Sequence, residues 1–144
     1  MSPLDKLVGT WNIEVVAPWA PPDGPRATTT FSWALGGAFL LQTAEVDHPD
    51  APDAHMVIEP VADEPGVFRQ HYFDSRGVVR IYQMTLDDQT WTLRRTRPDF
   101  TPLEFGQRYI GTFSDDGRRI DGRWEIAHQP EQWELDFQLS YLRA

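Results

Sequence analysis

Two arginines stand in segments where every second residue is apolar. In residues 78–86, Arg80 falls on the parity of Val78, Tyr82, Met84 and Leu86; in residues 90–97, Arg95 falls on that of Trp91 and Leu93. Gln107 shares its parity with Tyr109, Gly111 and Phe113, and Gln70 with Phe68 and Tyr72. A repeat of two places such residues on one face of a strand. If the apolar parity is the inner one, Arg80, Tyr82, Arg95, Gln107 and Tyr109 converge inside, and Trp124 and Phe137 add apolar wall. A guanidinium taken out of water there costs several kcal/mol unless it meets a carboxylate, ordered water or an anionic ligand. The chemistry on offer is capture of a negative head group, or stabilisation of developing negative charge while Tyr82 or Tyr109 moves a proton. The alternative is a β-bulge that flips the parity and leaves both arginines in solvent. Val79 and Ile81 make the opposite face of 78–86 apolar too, so that alternative stays open.

Little else in the chain carries a reaction. His48, His55, His71 and His128 form no pair with the H-x-H or H-E-x-x-H spacing of a metal site. His71 is opposite in parity to Phe68 and Tyr72 and is predicted to face out, while His48 and His128 lie in Pro-flanked loops and read as solvated. With no Cys there is no thiol nucleophile, disulfide or thiolate metal site. No nucleophile elbow, P-loop or dinucleotide fingerprint occurs, and Gly36-Gly37 reads as a tight turn. Asp87-Asp88 and Asp115-Asp116 sit in turns without calcium-loop spacing. No cofactor and no metal is implied. Trp19, between prolines of the first long loop, either caps a mouth or packs on an outer wall.

The elements that must position these groups are strands. Trp133, Leu135, Phe137, Leu139 and Tyr141 alternate with Glu134, Asp136, Gln138 and Ser140, and Ile120, Gly122, Trp124 and Ile126 alternate with Arg119, Asp121, Arg123 and Glu125. Further strands are predicted near 10–17, 27–34, 39–46, 55–62, 67–73, 78–86, 90–97 and 105–113, about ten in all and each of ordinary length. The turns Asp74–Gly77, Asp87–Gln89 and Ser114–Gly117 suit short hairpins, because Asp and Gly tolerate the positive φ these need. Pro18, Pro21, Pro22 and Pro25 bracket one longer loop, and Pro49, Pro52 and Pro60 a second. Ser2–Leu7 forms at most one helical turn. A meander of this length removes its exposed edges by closing. The predicted fold is all-β, a single closed antiparallel up-and-down barrel of about ten strands, which is wide enough to hold a small ligand.

A chain of 144 residues suits one domain over 1–144. The net charge of −9 disfavours nucleic acid as a partner. No apolar run approaches the ~20 residues of a membrane span, and the N-terminus lacks the basic-then-apolar pattern of a secretory signal. A cytoplasmic protein is expected. Lys6 is the only Lys and Asn12 the only Asn, a bias of GC-rich, bacterial coding. A homodimer through the barrel wall is compatible with the composition.

Gly9-Thr10-Trp11, then Leu35–Leu40, Tyr82–Leu86, Gly111–Gly117 and Gly122–Glu125 occur in an order that resembles an uncharacterised bacterial family of calycin-like barrels, akin to lipocalins and fatty-acid-binding proteins. The likeness spans most of the chain. It implies that Trp11 plugs one end of the barrel under Arg143 or Arg123, and that the interior takes a small apolar or amphipathic molecule. Arg80-Ile81-Tyr82 is similar to the Arg-x-Tyr pair with which fatty-acid-binding proteins hold a carboxylate, on a different strand. Haem-binding relatives carry a glycine-rich extension after the Trp, where this chain has Asn12–Val15, so haem is not expected. The function expected is binding of a small, possibly carboxylate-bearing, apolar or amphipathic molecule. The alternative is a cofactor-independent cyclase, isomerase or lyase using the same Tyr and Arg groups.

Overall fold

Ten strands close into one antiparallel barrel in a computed structural model that describes residues 2–18, 24, 26–49, 51–98 and 104–144. They are β1 (Gly9–Val16), β2 (Ala27–Ala34), β3 (Phe39–Val46), β4 (Ala54–Pro60), β5 (Val67–Asp74), β6 (Val79–Leu86), β7 (Thr90–Arg95), β8 (Gly106–Phe113), β9 (Arg119–Ala127) and β10 (Glu134–Arg143). Each pairs with its neighbours in sequence, and β1 pairs with β10 from Trp11↔Arg143 to Val16↔Gln138, which closes the ring. The alternation of apolar and polar residues made each strand half-wet, and closure leaves none of the ten with an open edge. Asp74, Asp87 and Asp116 each accept backbone N–H groups of their own hairpin turns, so the short loops are tied by the residues that shape them.

One end, the floor, is plugged. Ser2 caps a 3₁₀ turn over Pro3–Leu7, with Asp5 closing a capping box, and this turn buries Leu4 and Leu7 in the barrel end. Trp11 is fully buried below it and donates its indole N–H to Leu7 O at 2.8 Å. Arg143 lies over the Trp11 ring, 4.0 Å from its centroid, and donates to the carbonyls of Lys6 and Val8. Arg123 is on the outer wall, 3.6 Å from Glu125, so of the two arginines the resemblance allowed, Arg143 covers the tryptophan. Gly9 has φ +122°, and a Cβ there would sit 2.6 Å from Arg143 Nη1. The positive φ favours glycine, and a side chain there would push the Arg143 guanidinium aside. Trp33 faces the same end and donates to Asp5 Oδ1 at 2.8 Å, fastening the 3₁₀ turn to β2.

Above the plug the lumen is filled. Trp91 is fully buried, with Phe31 at 6.0 Å, Tyr109 at 5.4 Å and Tyr141 at 5.4 Å between ring centroids. Leu40, Ile58, Met84 and Ile120 complete this core.

The last strand departs from the predicted alternation. The β9–β10 register shifts between Leu135 and Phe137, so Asp136 is an extra residue on β10. Phe137, opposite Trp124, keeps its place inside, but Leu135 lies opposite Glu125 and is exposed. Trp133 goes with it to the outer wall, between Arg94 and Arg108 at 5.5 and 4.3 Å from its ring. Trp19 lies outside the described residues. Among the described residues no helix is long and apolar enough to cross a membrane.

Candidate functional site

The other end, the mouth, is where the β1–β2, β3–β4, β5–β6, β7–β8 and β9–β10 connections depart, and the inward polar groups gather toward it. Arg80 on β6 donates to Gln107 Oε1 on β8 at 3.3 Å, and the Tyr82 hydroxyl donates to the same oxygen at 3.2 Å. β7 stands between β6 and β8, so these contacts run through the lumen. Arg95 on β7 is opposite Gln107 in register and only 3% exposed, so it too points inward. The parity of the apolar positions is the inner one at both arginines.

Arg80 is half-buried, and its Nε is buried with no hydrogen-bond partner. Its one acceptor among the described residues is a neutral amide. The nearby carboxylate of Asp74 is fully engaged elsewhere. It accepts from Tyr72 Oη at 2.8 Å, from Arg76 Nη2 at 2.6 Å and Nε at 3.1 Å, and from the amides of Arg76 and Val78. Burial pushes the Asp74 carboxyl up, but the Arg76 and Tyr72 hydrogen bonds and the two amides outweigh it and hold the group at about 2. The Tyr72 hydroxyl is raised, by burial first and by its bond to Asp74 second. Gln107 spends its oxygen on these two donors, and its amide nitrogen carries two N–H donors of its own.

Aromatic rings surround these groups. Tyr82 meets Tyr72 at 6.3 Å and Trp124 at 5.7 Å, both edge-on, and Trp124 tilts over Tyr109 at 5.4 Å. Gln107, Trp124, Phe137 and Tyr72 face inward and are half-buried at this end, whereas the inward residues nearer the floor are buried.

Tyr109 lies one inward position deeper than Gln107. It is fully buried, its hydroxyl donates to Leu139 O at 3.1 Å, and burial above all, with the Tyr141 and Asp121 side chains adding, pushes its ionisation up. A phenol so held keeps its proton, which weighs against the predicted acid/base role of Tyr109.

A second polar line was not read from the sequence. Gln70 Nε2 donates to Gln42 Oε1 at 3.0 Å, Gln42 Nε2 to Thr29 Oγ1 at 3.1 Å, and Thr29 Oγ1 to Thr43 O at 2.9 Å. All three side chains are buried. The parity of Gln70 with Phe68 and Tyr72 was the available signal, and the matching position of Gln42 beside Leu40 was its partner. His71 sits outside, 3.3 Å from Glu59, as its parity predicts. His128 stacks edge-on against Phe105 on the outer wall. Among the described residues no three His, Asp or Glu side chains converge as metal ligands would. Two surface grooves, of about 280 Å³ beside Trp133 and Phe105 and about 370 Å³ beside Pro3 and Pro65, are lined by none of the arginine cluster.

Fold and site together define a closed antiparallel β-barrel whose mouth half is lined by aromatic rings around an inward arginine. No protein-family model matches the chain, and no characterised protein matches it in sequence.

Proposed function

We propose that the upper lumen binds a small amphipathic molecule through an anionic head group, a carboxylate being the simplest. The observation that carries this is Arg80: an inward, half-buried guanidinium whose acceptor among the described residues is a single neutral amide. Retaining a cation in such a place costs more than a hydrophobic side chain would, and an anionic ligand offsets that cost. Gln107 Nε2 supplies further donors on the same side, and Trp124, Phe137 and Tyr72 supply the apolar walls that such pockets combine with a few polar groups. The plug of Gly9, Trp11 and Arg143 supports kinship with lipocalin-like barrels, in which the lumen is the working part.

The test is calorimetric titration of the purified chain with octanoate and with 2-naphthoate, each beside its neutral methyl ester. Binding of either acid at least tenfold tighter than its ester, and loss of that difference in Arg80→Leu, supports the reading. Equal binding of acid and ester, or no effect of Arg80→Leu, overturns it.

A further inference from the structure

Below the half-buried residues of the mouth the lumen is packed, and Tyr109 lies at the top of that packed layer, along the wall of β8, β9 and β10. Tyr109 reaches from β8 to the carbonyl of Leu139 on β10, passing across β9. It does so because the residues under its ring are glycines paired across the two strands, Gly111↔Gly122. A Cβ at Gly122 would overlap the Tyr109 hydroxyl, and one at Gly111 would lie 2.8 Å from the ring. Two glycines inside strands clear the path of this crossbar. On its floor side it packs on Trp91 and Tyr141, at 5.4 and 6.1 Å; on its mouth side it meets Trp124 at 5.4 Å. Along β8 exposure falls from the half-buried Gln107 to zero at Tyr109, one inward position deeper.

We propose that Tyr109 sets the depth of the ligand site, and that the protein therefore selects a compact aromatic carboxylate of one or two rings over a long straight-chain one. The inference rests on the reading of the upper lumen as an anion-binding site. A chain with its carboxylate at Arg80 extends toward the floor and meets the crossbar, below which Trp91, Phe31, Leu40 and Ile58 leave no accessible surface. A planar ring instead stays above it, where Tyr82 meets Tyr72 and Trp124 edge-on and the half-buried Tyr72 and Trp124 keep ring surface of the kind rings pack against.

Wild-type protein is titrated with 2-naphthoate and with straight-chain carboxylates from butanoate to hexadecanoate. In an open shaft each buried methylene strengthens binding about fourfold. Here the gain is expected to stop within the first few carbons, and 2-naphthoate is expected to bind at least tenfold tighter than hexadecanoate. Tyr109→Ala, checked for native circular dichroism, is expected to extend the gain to longer chains and shrink the naphthoate preference. A steady gain to hexadecanoate in the wild type overturns the depth stop while leaving anion binding in place. Binding of no carboxylate at all overturns the underlying reading, and the depth stop with it. Should Tyr109→Ala not fold, the wild-type chain-length series decides alone.

Discussion

Trp11 and Asp74 show how single side chains at the two ends of the barrel do different work. Trp11 is held by a hydrogen bond to Leu7 O, by the Arg143 guanidinium above it and by complete burial. Trp11→Ala opens a large hole that the wall strands cannot close, so urea unfolding is expected to show a loss of ~3–5 kcal/mol. A loss below ~1 kcal/mol would mean that the plug is dispensable. Asp74 contributes through its ionised form. Its carboxyl is held at about 2, below the 3.8 of an unperturbed aspartate. A folded-state value below the unfolded one stabilises the protein above the unfolded value, and that stabilisation disappears as pH falls through the folded one. Melting temperature against pH is therefore expected to fall between about pH 4 and pH 2, and Asp74→Asn to flatten that part of the curve. An unchanged acid limb in Asp74→Asn would show that the Tyr72–Asp74–Arg76 contacts add nothing to folding.

The strands decide which of these residues meet, and here the sequence pattern was readable to different degrees. Trp91, Leu93 and Arg95 alternate without interruption on β7, so the inward course of Arg95 followed from parity alone. Arg80 had apolar neighbours on both faces, and the contact of its guanidinium with Gln107 across β7 decides its side. The Asp136 bulge could not be read, because Trp133 to Tyr141 alternate without a break, and the register shift lies in the pairing with β9. The Gln70–Gln42–Thr29 line was hidden for a related reason: its members are far apart in sequence, and only the barrel brings them together. Gly122 looked like one more inward position of β9, and its meaning comes from the Tyr109 ring laid over it. Gly122→Ala overpacks that contact and is expected to cost ~1–3 kcal/mol in chemical denaturation. In a Tyr109→Leu background the same substitution has less to collide with, so most of its cost is expected to vanish, a coupling of about 0.5–3 kcal/mol. Equal costs in both backgrounds would show that Gly122 is not there to clear the crossbar.

At the scale of the whole molecule, the proposed site sets a local positive charge inside a chain with a net charge of −9. The two act over different distances. Arg80 meets an anion at contact range in a partly dry setting, where added salt screens little, whereas the net charge acts through solvent on an anion still approaching. At about 20 Å in water, nine negative charges repel a monoanion by roughly 2 kcal/mol before screening. Ionic atmosphere leaves about half of that at 0.01 M salt and under a tenth at 0.15 M. The association rate of 2-naphthoate, followed by stopped-flow tryptophan fluorescence, is therefore expected to rise about three- to fivefold over that range. Its dissociation rate is expected to change less, and the rate for the methyl ester to stay flat. This is opposite in sign to the salt response of a basic protein binding an anion, where steering is attractive and salt slows capture. An association rate that falls with salt would mean that the anion approaches over a positive face, placing its entry away from the barrel's acidic surface.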